Sequence, residues 1–112
     1  LASSKLLLEN NHITQSLNRS YYAIFHATRA LLAYNVFDSK KHTGIISFFN
    51  LHYIKTRKID HAFFKILTKA ELIRHDSDYD DFFQVERQQA QKQLEDADKF
   101  INMIENYIAE NL

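Results

Sequence analysis

Core-type residues recur at Leu17, Tyr21, Ile24, Phe25, Thr28, Leu31 and Leu32, and this three-and-four spacing predicts one long helix from Ile13 to about Tyr34. A second run puts Ile45, Ile46, Phe49 and Tyr53 on one side and predicts a helix from about Lys40 to Ile54, with Asp38 and Ser39 as its N-cap. Lys55, Arg57 and Lys58 suit the negative end of that helix, and Asp60 can cap the next one, which carries Phe63, Phe64, Leu67, Ala70 and Ile73. The segment HDSDYDD, from His75 to Asp81, has no helical period and is rich in side chains that compete for backbone hydrogen bonds, so it reads as a loop. Ala90, Leu94, Ala97, Ile101, Ile104 and Ile108 then step by four and three, predicting a last helix from about Val85 to Ala109. With a short leading helix around Ala2 to Glu9, the pattern is all-α: an antiparallel bundle of four main helices plus a short N-terminal helix.

Composition agrees with this reading. The 112 residues contain no proline and one glycine, too little turn punctuation for a sheet of short strands. The length fits a single domain over residues 1–112 that buries roughly two-thirds of its extended-chain surface. The absence of cysteine removes disulfides, zinc ribbons, iron–sulfur clusters and thiol nucleophiles. No window approaches eighteen uncharged apolar residues, and LASSKLLLENNH is too short and polar for a signal peptide or a span. The expectation is a soluble, cytoplasmic protein with no membrane partner. Because the chain starts at Leu1 and not Met, the natural N-terminus is expected to be missing or trimmed.

Net charge is zero, but residues 1–69 hold ten Lys/Arg against three Asp/Glu, and residues 70–112 hold four against eleven. Folding the +7 half onto the −7 half turns much of that asymmetry into pairing between helices. A basic face of Lys40, Lys41, Lys55, Arg57 and Lys58 could meet phosphates, while overall neutrality argues against strong nonspecific nucleic-acid binding.

On the long helix, Arg19, Tyr22, His26 and Arg29 form a second stripe beside the core face. It can be boundary packing with snorkelling arginines, or a polar strip lining a cleft or a subunit interface. Asp76, Asp78 and Asp80 imitate the first ligands of an EF-hand loop, but Asp81 stands where the turn needs glycine and Arg87 where it needs a bidentate glutamate. A di-iron bundle needs paired Glu-x-x-His motifs, and only Glu9 to His12 matches. No metal and no cofactor are assigned. Ser20, Ser39 and Thr43 each have a capping or helix-surface reading, and phosphate-cradling glycine loops are missing.

Three stretches carry a further signal: LNRSYYAIFHATRALL at 17–32, DSKKHTGIISFF at 38–49 and RHDSDYD at 74–80. Together they resemble the HEPN domain family, in particular short prokaryotic members with an N-R-x-Y-Y-A-x-F-H helix, an S-K-x-H helix start and an R-x-x-x-D-Y segment. The resemblance implies a bundle of four or five helices, a homodimer, and frequent coupling to a minimal nucleotidyltransferase as a toxin–antitoxin pair. Many members are metal-independent ribonucleases in which an arginine is followed, after four to six residues, by a histidine. Arginine can stabilise phosphate charge and histidine can move the proton of a ribose hydroxyl.

Carried over, the arginine is Arg74, and the histidine would fall at Tyr79, Asp80 or Asp81, none of which is histidine. His75 lies on the wrong side of that spacing, whereas His42 or His26 could supply the imidazole if the bundle brings either near Arg74. Arg74 is otherwise expected to pair with Asp78 or Asp80, with Tyr79 packed between subunits. The expected site is thus Arg74, Asp78 and Tyr79, supported by Arg19, Tyr22, His26, Lys41 and His42 as binding candidates. The functional expectation is a HEPN component of a nucleotidyltransferase-linked toxin–antitoxin system that binds RNA or a nucleotide. Its alternatives are a metal-independent ribonuclease with an atypical site and a structural dimerisation or partner-binding module.

Overall fold

The computed structural model describes residues 1–79 and 85–112, the side chain of Tyr79 excepted. Its elements are α1 (Ala2–Glu9), α2 (Ile13–Ala33), α3 (His42–Phe49) with a π-helical turn (Asn50–Ile54), α4 (His61–Tyr79) and α5 (Arg87–Asn111). Among the described residues there is no strand, as an all-α chain requires.

The predicted face of α2 is the centre of the molecule. Leu17, Tyr21, Ile24, Phe25, Leu31 and Leu32 are all buried, and α2 packs on α1, α3, α4 and α5 alike. The main core joins these residues, Leu17 excepted, to Ile45, Phe49, Leu67, Ala97 and Phe100. Contacts of Phe63 with Phe100, and of Ile73 and Gln89 across one shared cleft, run α4 and α5 antiparallel. A smaller cluster of Leu8, Leu17 and Ala90 closes the α1 end.

Several element ends differ from the sequence expectation. α2 stops in a Schellman arrangement in which Phe37 N–H donates to the Leu32 carbonyl (3.3 Å) and Val36 N–H to that of Ala33 (3.0 Å). Val36 takes the left-handed position at φ 54°, where glycine is usual. Asp38 and Ser39 do not cap α3. Asp38 is held by Arg29 at 2.7 Å and by the Ser39 N–H, and the helix opens instead after Lys41, whose N–H donates to Ser39 Oγ. The close approach of Ser39 explains the lone glycine, since a Cβ at Gly44 would lie 2.5 Å from Ser39 Oγ.

The second predicted helix ends in a wider turn, where Lys55 N–H reaches the Asn50 carbonyl five residues back (2.8 Å). Lys40 and Lys41 precede this helical run and Lys55, Arg57 and Lys58 follow it, so the expected basic face is split by about 20 Å of helix. Asp60 does cap α4, accepting from the Ala62 N–H at 2.8 Å.

The largest correction concerns residues 75–79, read as loop but helical here. Arg74 pairs with Glu71 at i−3 and Asp78 at i+4, so charge pairing sustains the last turn of α4 where apolar periodicity ends. Asp80 and Asp81, the rest of that expected loop, lie outside the described residues. α5 starts at Arg87, two residues late, because Glu86 and Gln89 form a capping box.

Candidate functional site

Three helices bring one polar cluster together beside the core. α2 contributes Tyr21, whose place on the buried face leaves it no exposed surface and obliges its hydroxyl to find a partner. That partner is His42, the first residue of α3, whose Nδ1 lies 2.6 Å from Tyr21 Oη. The imidazole stacks on Phe25 (centroids 4.1 Å apart) and meets the edge of Tyr22 at 6.2 Å.

α4 supplies the charges. Glu71 Oε2 lies 3.5 Å from His42 Nδ1, and the same carboxylate accepts from Arg74 Nη2 (3.0 Å) and Nε (3.4 Å). Arg74 Nη1 donates to Asp78 at 2.8 Å, and its guanidinium stands 5.4 Å from the centre of the Tyr21 ring. The Arg74 side chain is only 16% exposed.

Burial pushes the Glu71 carboxyl up, but hydrogen bonding from Arg74 and Tyr21, the Arg74 charge and His42 together hold it below the ordinary glutamate range. Burial first, and then the Glu71 carboxylate, raise Tyr21 far above the usual phenol value. Arg74 is raised chiefly by its hydrogen bonds to Glu71, against a smaller effect of burial. Near neutral pH the cluster therefore holds a fixed anion, a fixed cation and a protonated phenol around one imidazole.

Of the expected residues, Arg74, Asp78 and His42 meet here, and Tyr22 borders them. His26 stacks on Tyr22 at 6.0 Å and lies one ring further from the charges, so His42 is the imidazole brought to Arg74. Arg19 and Lys41 are exposed and stay outside the hydrogen-bonded set, and Arg29 is committed to Asp38. The Tyr79 side chain and Asp80 lie outside the described residues. Glu71 and Tyr21 are additions to the expected site, since the sequence pattern marks Tyr21 only as a core position. The Glu-x-x-Arg spacing on one helix was a usable signal for the first, whereas Tyr21 is indistinguishable from an ordinary core aromatic. Among the described residues no three His, Asp or Glu side chains converge as metal ligands, and no helix is long and apolar enough to cross a membrane.

The family model described as HEPN domain matches residues 1–107. The chain belongs to the HEPN domain family. Over its full length this HEPN chain is 32% identical to "Putative toxin MJ0605" of Methanocaldococcus jannaschii, covering 83% of that protein. It is 31% identical over 96% of its length to a UPF0332 protein of Thermotoga maritima, covering 82% of that relative. A UPF0332 protein of Pyrococcus horikoshii, PH1297, is 43% identical over 61% of the chain, and the match spans about half of that longer relative. The fold sets beside Arg74, through their shared Glu71, a histidine from a different helix.

Proposed function

We propose that this chain is the HEPN component of a nucleotidyltransferase-linked toxin–antitoxin system and that it binds RNA or a nucleotide through the Arg74 cluster. The observation that carries this reading is the sharing of Glu71 by Arg74 and His42. A guanidinium is a planar, bidentate phosphate ligand, and an imidazole exchanges protons near neutrality. Asp78, the more exposed of the two carboxylates on Arg74, marks where a phosphate oxygen would take over. The word toxin in the name of the M. jannaschii relative supports the same direction. We further propose that the chain acts as a cytoplasmic homodimer, the pairing that the HEPN resemblance implies.

A second reading, a metal-independent ribonuclease, is favoured by one specific observation: the His42 imidazole shares Glu71 with Arg74, which has no histidine of its own at the motif spacing. The test is incubation of purified protein with a mixed RNA pool in EDTA, alongside Arg74→Ala, with RNA and nucleotide titrations and oligomeric state measured on the same samples. Arg74→Ala should weaken binding at least about tenfold and remove any cleavage. A folded Arg74→Ala dimer that binds RNA and nucleotide as the native protein does would sink the proposal.

A further inference from the structure

We infer that His42 is held as the neutral tautomer protonated on Nδ1, which leaves Nε2 as the proton acceptor of the site, with Tyr21 and Glu71 as the residues that position it. Nδ1 faces two oxygens, the Tyr21 hydroxyl at 2.6 Å and a Glu71 carboxylate oxygen at 3.5 Å. An ionised carboxylate only accepts hydrogen bonds, and a phenol has one proton to give. With a lone pair on Nδ1, imidazole and carboxylate would turn like charge density toward each other. With a proton on Nδ1, that edge donates to Tyr21 Oη, and the Tyr21 proton is free to turn to Glu71.

The groups facing His42 agree with this inventory. α2 contributes Tyr21 and Tyr22, and α4 contributes Glu71 with Arg74 behind it. Arg74 keeps Glu71 ionised, and ionised Glu71 holds the proton on Nδ1. Nε2 has no hydrogen-bond partner among the described residues, and the His42 side chain keeps 28% of its surface exposed. A histidine whose inner nitrogen is tied to an acid through a hydroxyl is oriented to take a proton at the outer one.

In RNA that proton is a ribose 2′-hydroxyl's. Its oxygen bonds to phosphorus, the bond from phosphorus to the 5′-oxygen breaks, and the 5′-oxygen leaves with the proton returned from Nε2. This use of Nε2 rests on the ribonuclease reading above; the tautomer does not.

The deciding experiment is nitrogen NMR on the full chain with labelled imidazoles, at a pH where His42 is neutral. The expected spectrum has the pyridine-like resonance on Nε2. A pyridine-like Nδ1 in the native protein overturns the inference. In Glu71→Gln the amide still accepts from Arg74 but presents no anion to Nδ1, so the Tyr21 proton turns to His42 and the pyridine-like nitrogen becomes Nδ1. An unchanged tautomer in a folded Glu71→Gln protein overturns the role of Glu71. A protonated Nδ1 in a protein that turns over no RNA sustains the tautomer and removes the ribonuclease reading, so the two failures are separate.

Discussion

Two polar regions lie against α2, and they are built on opposite principles. Toward α1 and α5, Ser4 and Ser16 donate to each other's backbone carbonyls at 2.8 and 2.7 Å, and Gln93 donates to the Leu17 carbonyl and Ser20 Oγ. The groups of that seam are neutral and buried, and their donors are matched largely by backbone, while Gln93 Oε1 has no partner among the described residues. Toward α3 and α4, Tyr21, His42, Glu71 and Arg74 bury charge incompletely and match it side chain to side chain. Neutral hydrogen bonds to backbone join helices at low desolvation cost, whereas half-buried ions return little net stability. The seam is what a bundle needs to close, and the charged cluster is what a bundle keeps for chemistry.

Removing the anion should separate the two regions most sharply. Glu71→Ala takes from the largely buried Arg74 guanidinium one of its two carboxylate partners, and is expected to cost about 2 kcal/mol in chemical denaturation. Because the folded Glu71 carboxyl ionises below its unfolded value near 4.5, its contribution is complete above that pH and disappears as pH falls through the folded value. A native acid limb that survives unchanged in Glu71→Gln would contradict this assignment.

Ser4→Ala tests the other side. It removes one donor from the seam and should cost about 1 kcal/mol, with RNA or nucleotide affinity unchanged. An affinity loss with Ser4→Ala would mean that the two regions do not divide the work. The smallest effect belongs to neither: Val36→Gly relieves a β-branched residue at positive φ and should raise stability by about 0.5–1 kcal/mol in the same denaturation assay.

Much of the fold was legible because α2 and α5 are written in apolar periodicity, which survives without knowledge of the neighbours. The last turn of α4 was not, because Glu71, Arg74 and Asp78 extend it by charge pairing while Asp76, Ser77 and Asp78 look locally like a turn. The wide turn at Asn50–Ile54 was illegible for another reason, since its residues suit an α-helix equally well. At the site, Arg74 and Asp78 could be read from one helix. The meeting of His42 with Arg74 could not, because it depends on how α3 leaves Lys41 and packs against α2 and α4.

Ser20 and Tyr21 are consecutive residues, yet one belongs to the seam and the other to the charged cluster, because successive side chains on an α-helix diverge by about 100°. α2 is therefore an axle with a load on each side. The helix thus gives the neutral seam and the charged cluster separate faces of one rod, and Ser4→Ala asks whether a change on one face reaches the other.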